Sequence, residues 1–132
     1  MGGRGARSGG RSGRAPNGYR TIGKIGSIKI IRNNTTGKGL PRKAASGNAK
    51  YFGTDSAGNV NQLGLYGKSK GKKKDIDWSH PFEGHPRGTV HAHTWKNGER
   101  STDHVPLTKS EIKKYKETIE KATGRTDLKW EW

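Results

Sequence analysis

Only 18 of the 132 residues are Ile, Leu, Val or Phe. That is below the ~20 % at which a highly charged chain tends toward disorder. A chain this poor in aliphatics cannot build a thick interior, so its fold must be made from thin layers. Four Trp and four Tyr add buried area that the aliphatics do not supply. The expected product is a folded part of roughly a hundred residues with a thin core, preceded by an unstructured arm.

The arm is residues 1–18, MGGRGARSGGRSGRAPNG. Gly and Ser do not offset the entropy of ordering the backbone. Arg4, Arg7, Arg11 and Arg14 space positive charge along it. Residues 1–50 carry 12 Lys and Arg and no acid, whereas residues 51–132 carry 15 basic and 11 acidic residues. The net charge of +16 therefore belongs mainly to the first half. Such an imbalance points to a polyanionic partner, nucleic acid first, RNA or DNA alike. Arg42 and Lys43 in the turn-rich stretch 33–50, and Lys70, Lys72, Lys73 and Lys74 in KSKGKKK, are expected to be exposed phosphate contacts beside the four arginines.

Beyond the arm, residues 19–132 read as one α+β domain. The isoleucine-rich segment 19–33 predicts a strand or two, with Gly23 and Gly26 as bends. Residues 50–67 predict a hairpin turning at SAGN, and residues 75–80 a short strand. TVHAHTW alternates, with Val90, Ala92 and Thr94 on one face and His91, His93 and Trp95 on the other. Asn97-Gly98 should turn that strand back through residues 99–105. Thr108 and Glu111 form a capping box, Ile112, Tyr115, Ile119 and Ala122 a stripe, and Gly124 a stop. Residues 126–132 should add a last strand. The expected architecture is a small antiparallel sheet of hairpins packed on one C-terminal helix.

All five histidines fall between His80 and His104. Three readings compete for them. An H-x-H pair on a strand places two imidazoles on one face, where zinc could be held by His91 and His93 with His85, His80, His104 or Asp103 completing the set. Alternatively, a ribonuclease that needs no metal would use His91, His93 and His104 as acid and base, with Lys96 and Arg100 near the phosphate and Trp95 or Trp78 stacking a base. The third reading is an idle, solvated polar ribbon. No cofactor is required by the second or third. The chain has no cysteine, which excludes disulfides, thiol nucleophiles and Cys-based zinc sites. No apolar run approaches the ~18 residues of a membrane-spanning helix, and no membrane partner is expected.

MGGRGARSGG, with DWSHPFEGHPRGTVHAHTWKNGER and PLTKSEIKKYKE, resembles small proteins of prophages and mobile elements in Gram-positive bacteria. Those are associated with head morphogenesis, and their histidine-rich C-terminal modules are similar to toxin domains that include nucleases. The resemblance implies a bacterial cytoplasm or a phage virion as the location. It implies phage structural proteins or an immunity protein as partners besides nucleic acid. The positions it marks are Asp77, His80, His85, His91, His93 and Trp95. Two functions follow as expectations: a nucleic-acid-binding protein with a histidine-dependent nuclease centre, or a non-enzymatic head-packaging protein.

Overall fold

A computed structural model describes residues 15–132. The four arm arginines, Arg4, Arg7, Arg11 and Arg14, lie outside the described residues. Seven strands follow in chain order: β1 (Tyr19–Ile25), β2 (Ile28–Asn33), β3 (Lys50–Thr54), β4 (Val60–Tyr66), β5 (Lys72–Asp77), β6 (His91–Lys96) and β7 (Glu99–Arg100). One helix, α1 (Lys109–Thr123), comes last. The strands lie side by side in the same order, antiparallel except at β2–β3. The α+β class is as expected, but the sheet is larger than a set of small hairpins. The parallel register Lys29↔Tyr51 and Ile30↔Phe52 fuses the first hairpin to the second.

The helix face of the sheet carries the main core. Paired residues Phe52, Leu63, Ile76 and Ala92 form a row across four strands, each fully buried. Tyr115 and Ile119 of α1 pack on it, with Trp78, Val90, Leu107, Leu128 and Trp130. Burying Ile119 contributes about 1.5–3 kcal/mol. The helix begins as its cap predicts: the Glu111 amide donates to Thr108 Oγ1 at 3.1 Å, and the Thr108 amide to Glu111 Oε1 at 2.9 Å. It ends at Gly124, whose φ of 69° is the left-handed conformation glycine adopts without strain. Thr108→Ala should cost about 1 kcal/mol, read as a lower urea midpoint at unchanged slope. No helix among the described residues is long and apolar enough to cross a membrane.

The stretch 33–50 is not an open loop. It crosses the back of the sheet and closes a second cluster of Ile31, Ala44, Tyr51 and Tyr66. Leu40 fills a notch left by two glycines. A Cβ at Gly53 or Gly64 would stand 2.6 or 2.8 Å from its side chain. The Ala44 amide then donates to Lys70 O (2.8 Å), and the Lys72 amide to Arg42 O (2.9 Å).

Two further expectations change. KSKGKKK is a loop only at its start, because β5 begins at Lys72. The C-terminal segment forms no regular strand. Instead Val90 N–H donates to Lys129 O at 2.8 Å as a single parallel bridge, which seats Trp130 in the core.

Candidate metal centre

Strands β5 and β6 pair Asp75 with His93 and Asp77 with His91. Side chains of paired residues share a face, so these four lie together on the back of the sheet while Ile76 and Ala92 face the helix. The predicted sharing of a face by His91 and His93 holds. Their predicted solvation as an idle ribbon does not, because they are 0 % and 1 % exposed. The cover comes from two flanking segments. After β5 the chain turns on Asp77, whose Oδ1 accepts from the Ser79 amide (2.7 Å) and hydroxyl (2.9 Å). That turn delivers His80. After β7 the chain returns past Ser101, whose amide donates to Thr94 O, to a two-bond bridge between Val105 and Ala92. That bridge fixes the neighbouring His104.

One ring nitrogen from each of His80, His91, His93 and His104 lies within 4.8 Å of the other three. Each Nδ1 has an oxygen beside it. His91 Nδ1 is 3.0 Å from Thr89 O, and His93 Nδ1 is 3.2 Å from Ser101 O. His80 Nδ1 is 3.5 Å from Asp77 Oδ1, and His104 Nδ1 is 3.3 Å from Glu83 Oε1. A carbonyl only accepts, so in His91 and His93 the Nδ1 carries the proton and Nε2 presents a lone pair. Both Nε2 atoms are buried and have no hydrogen-bond partner. Leaving such an acceptor unmatched costs ~1–3 kcal/mol each. Oriented imidazoles with their second nitrogen on a carbonyl or carboxylate are the usual outer arrangement of a histidine metal site. Tetrahedral zinc with ~2.0–2.1 Å bonds needs nitrogens about 3.4 Å apart, a modest inward rotation of these rings.

Electrostatics favour the ligating state. Burial is the main cause holding His91 below the usual imidazole pKa; the Thr89 carbonyl and Asp77 oppose it, and His80 and His93 add to it. Burial also lowers His93, with Arg100 the next cause. Neutral imidazole is the form that binds metal. The pocket is more open at its outer ligands, since the side chains of His80 and His104 are 42 % and 20 % exposed.

His85 does not join the group. Its ring packs on Trp132 (4.6 Å between centroids) and Phe82 (5.0 Å). Phe82 in turn stacks on His104 at 4.6 Å and 11°, and walls the pocket. Arg100 and Lys96 are exposed around the β6–β7 turn, where Arg100 pairs with Trp95 and Lys96 with Glu99. Trp78, one of two residues expected to stack a base, is 2 % exposed in the core. Trp95 is half-buried, and its Nε1 donates to Asp75 Oδ2 at 2.6 Å.

The lysines expected as phosphate contacts divide. Lys72 is buried, with Nζ 3.1 Å from Asp75 Oδ1 and 4.6 Å from the Trp95 ring centroid. Lys74 pairs with Glu111 at 2.6 Å. Neither is the free loop cation that was expected. Arg42, Lys43, Lys70 and Lys73 are exposed. The Lys43↔Gly71 bridge brings the two basic stretches side by side. Arg42 and Arg100 both lie close enough to Lys72 to lower its pKa, after the larger effect of burial. A basic flank thus runs from this junction to the edge of the histidine pocket.

No family model, curated protein or solved structure matches this chain.

The roles of Asp77 and Glu83 were not assigned from sequence. A carboxylate three residues before His80 was a usable signal, because a tight turn brings positions i and i+3 together. Glu83 and His104 are 21 residues apart, and nothing local connects them.

Proposed function

We propose that this protein is a nucleic-acid-binding protein of a phage or mobile element, with zinc held by His80, His91, His93 and His104 for phosphodiester hydrolysis. The observation that carries the reading is the pair of buried, unpartnered Nε2 atoms on His91 and His93, converging with two more imidazoles. An all-nitrogen donor set suits zinc, and suits magnesium or calcium poorly. Bound zinc would supply an activated water and polarise a phosphoryl oxygen. The chain's own part is to orient the rings through Thr89, Ser101, Asp77 and Glu83. The basic flank of Arg42, Lys43, Lys70 and Arg100 would hold the polyanion beside the more exposed side of the pocket.

A second reading has one observation in its favour. Four imidazoles fill a tetrahedron, and a filled site is structural. The protein would then be a head-packaging protein whose zinc pins the loops 79–85 and 101–104 to the sheet. One experiment separates the two. Metal-stripped protein is incubated with RNA and with DNA, with and without one equivalent of zinc. Cleavage that requires zinc and disappears in His93→Ala supports the nuclease. Tight zinc binding without cleavage leaves the packaging reading, and absence of zinc binding overturns both.

A further inference from the structure

A second cluster of charge lies on the other face of the sheet. The register Lys50↔Leu65↔Lys74 places Lys50 and Lys74 on the helix face, on either side of Leu65. The first turns of α1 close over them with Glu111, Lys114 and Tyr115. The result is a cavity of about 330 Å³, lined also by Asn48, Ala49 and Lys73. Its single acid is fully engaged, because Glu111 gives Oε2 to Lys74 and Oε1 to the Thr108 amide. Lys50 and Lys114 have no carboxylate partner among the described residues. Yet the fold directs both to one place: their Nζ atoms lie 5.7 and 5.4 Å from the centroid of the same buried Tyr115 ring. Burial, then the charge and hydrogen bonding of Lys114, hold the Lys50 pKa below its usual value.

Two ammoniums brought together over one ring repel, and no protein group nearby is left to neutralise them. We infer that Lys50 and Lys114, with Lys73 at the rim and Tyr115 as the floor, form a phosphate-binding site. The ring quadrupole partly offsets the repulsion. An anion between the Nζ atoms would complete it, and lysines act on phosphate as point charges without a fixed fork. The cavity is large enough for a phosphate with part of its ester. The phosphate could belong to a nucleic-acid backbone or to a free polyphosphate. The first source rests on the function proposed above, and there one strand would pass from the basic flank around the β4–β5 turn to this second contact.

The test compares wild type, the Lys50→Gln/Lys114→Gln double variant, and a control with equal charge loss on exposed helix positions, Lys116→Gln/Lys121→Gln. Tripolyphosphate and a 12-nucleotide single strand are each titrated by calorimetry at several salt concentrations. Circular dichroism confirms that all three proteins fold. The site predicts that the Lys50/Lys114 variant loses at least tenfold in affinity for both ligands, with the control within about twofold. Its salt slope for the single strand should fall by about 1.4, or ~0.7 per lost phosphate contact. Loss confined to tripolyphosphate supports the site and assigns it to free polyphosphate; the nucleic-acid reading is then what fails. Unchanged affinity for both ligands, or equal loss in the control, overturns the site.

Discussion

Zinc added to the metal-free protein at pH 7.5 is expected to raise its thermal midpoint by about 10 °C. A ligand that binds only the folded state, at a free concentration a hundred times its Kd, stabilises by ~2.7 kcal/mol. For a domain of this size each kcal/mol is worth roughly 4 °C. His91→Ala and His93→Ala should each remove the shift, since each deletes a ligand whose Nε2 is buried and otherwise unused. His85→Ala should leave it intact, because that ring belongs to the Phe82–Trp132 contact. Asp77→Asn should weaken zinc affinity by roughly 10–100-fold by loosening His80. Equal shifts in wild type and His93→Ala would sink the metal centre.

The same histidines set a pH dependence in the metal-free state. Both have folded pKa values below the ordinary imidazole value. Between that lowered value and ~6.5 the unfolded chain binds more protons than the folded one. Stability is therefore fully present above about pH 6.5 and declines as pH falls through the window beneath it. Protons also compete with zinc for Nε2, so the zinc-induced shift should shrink over the same range.

Asp75→Ala is expected to be the most damaging single substitution away from the metal ligands. It leaves the Lys72 ammonium, whose side chain is 4 % exposed, without its carboxylate, and it orphans the Trp95 indole N–H. Breaking a buried pair from one side costs about 3–5 kcal/mol. The midpoint should fall by roughly 10–20 °C. Lys72→Met/Asp75→Ala should recover most of the loss, because the uncompensated charge is gone while its packing volume stays. If the single and double variants melt together, the cost lies in the indole bond and not in the charge.

Much of the local structure was legible. The Thr108 capping box, the Gly124 stop and the SAGN turn are encoded within a few residues, and each formed where its chemistry required. The alternation of TVHAHTW correctly put His91 and His93 on one face. It could not say what covers that face, and here the solvated reading went astray. Cover is supplied by residues 79–85 and 101–104, whose positions depend on the Asp77 turn and the Val105 bridge. The fusing of two hairpins into one sheet was equally hidden. It depends on Leu40 meeting Gly53 and Gly64, thirteen and twenty-four positions away. The same nonlocality buried Lys72: its sequence neighbours are all loop-like, and only the register with Tyr66 and the carboxylate of Asp75 draw it inward.

Strand β6 stands between two interiors, hydrocarbon on one side and imidazole on the other. Ala92 exchanges both of its backbone hydrogen bonds with Val105, next to His104. Ligation of His104 would therefore steady the very residues that hold Ala92 in the core. The Ala92 amide becomes a built-in gauge, and its hydrogen exchange should slow when metal loads, although no metal ligand lies on its own face of the sheet.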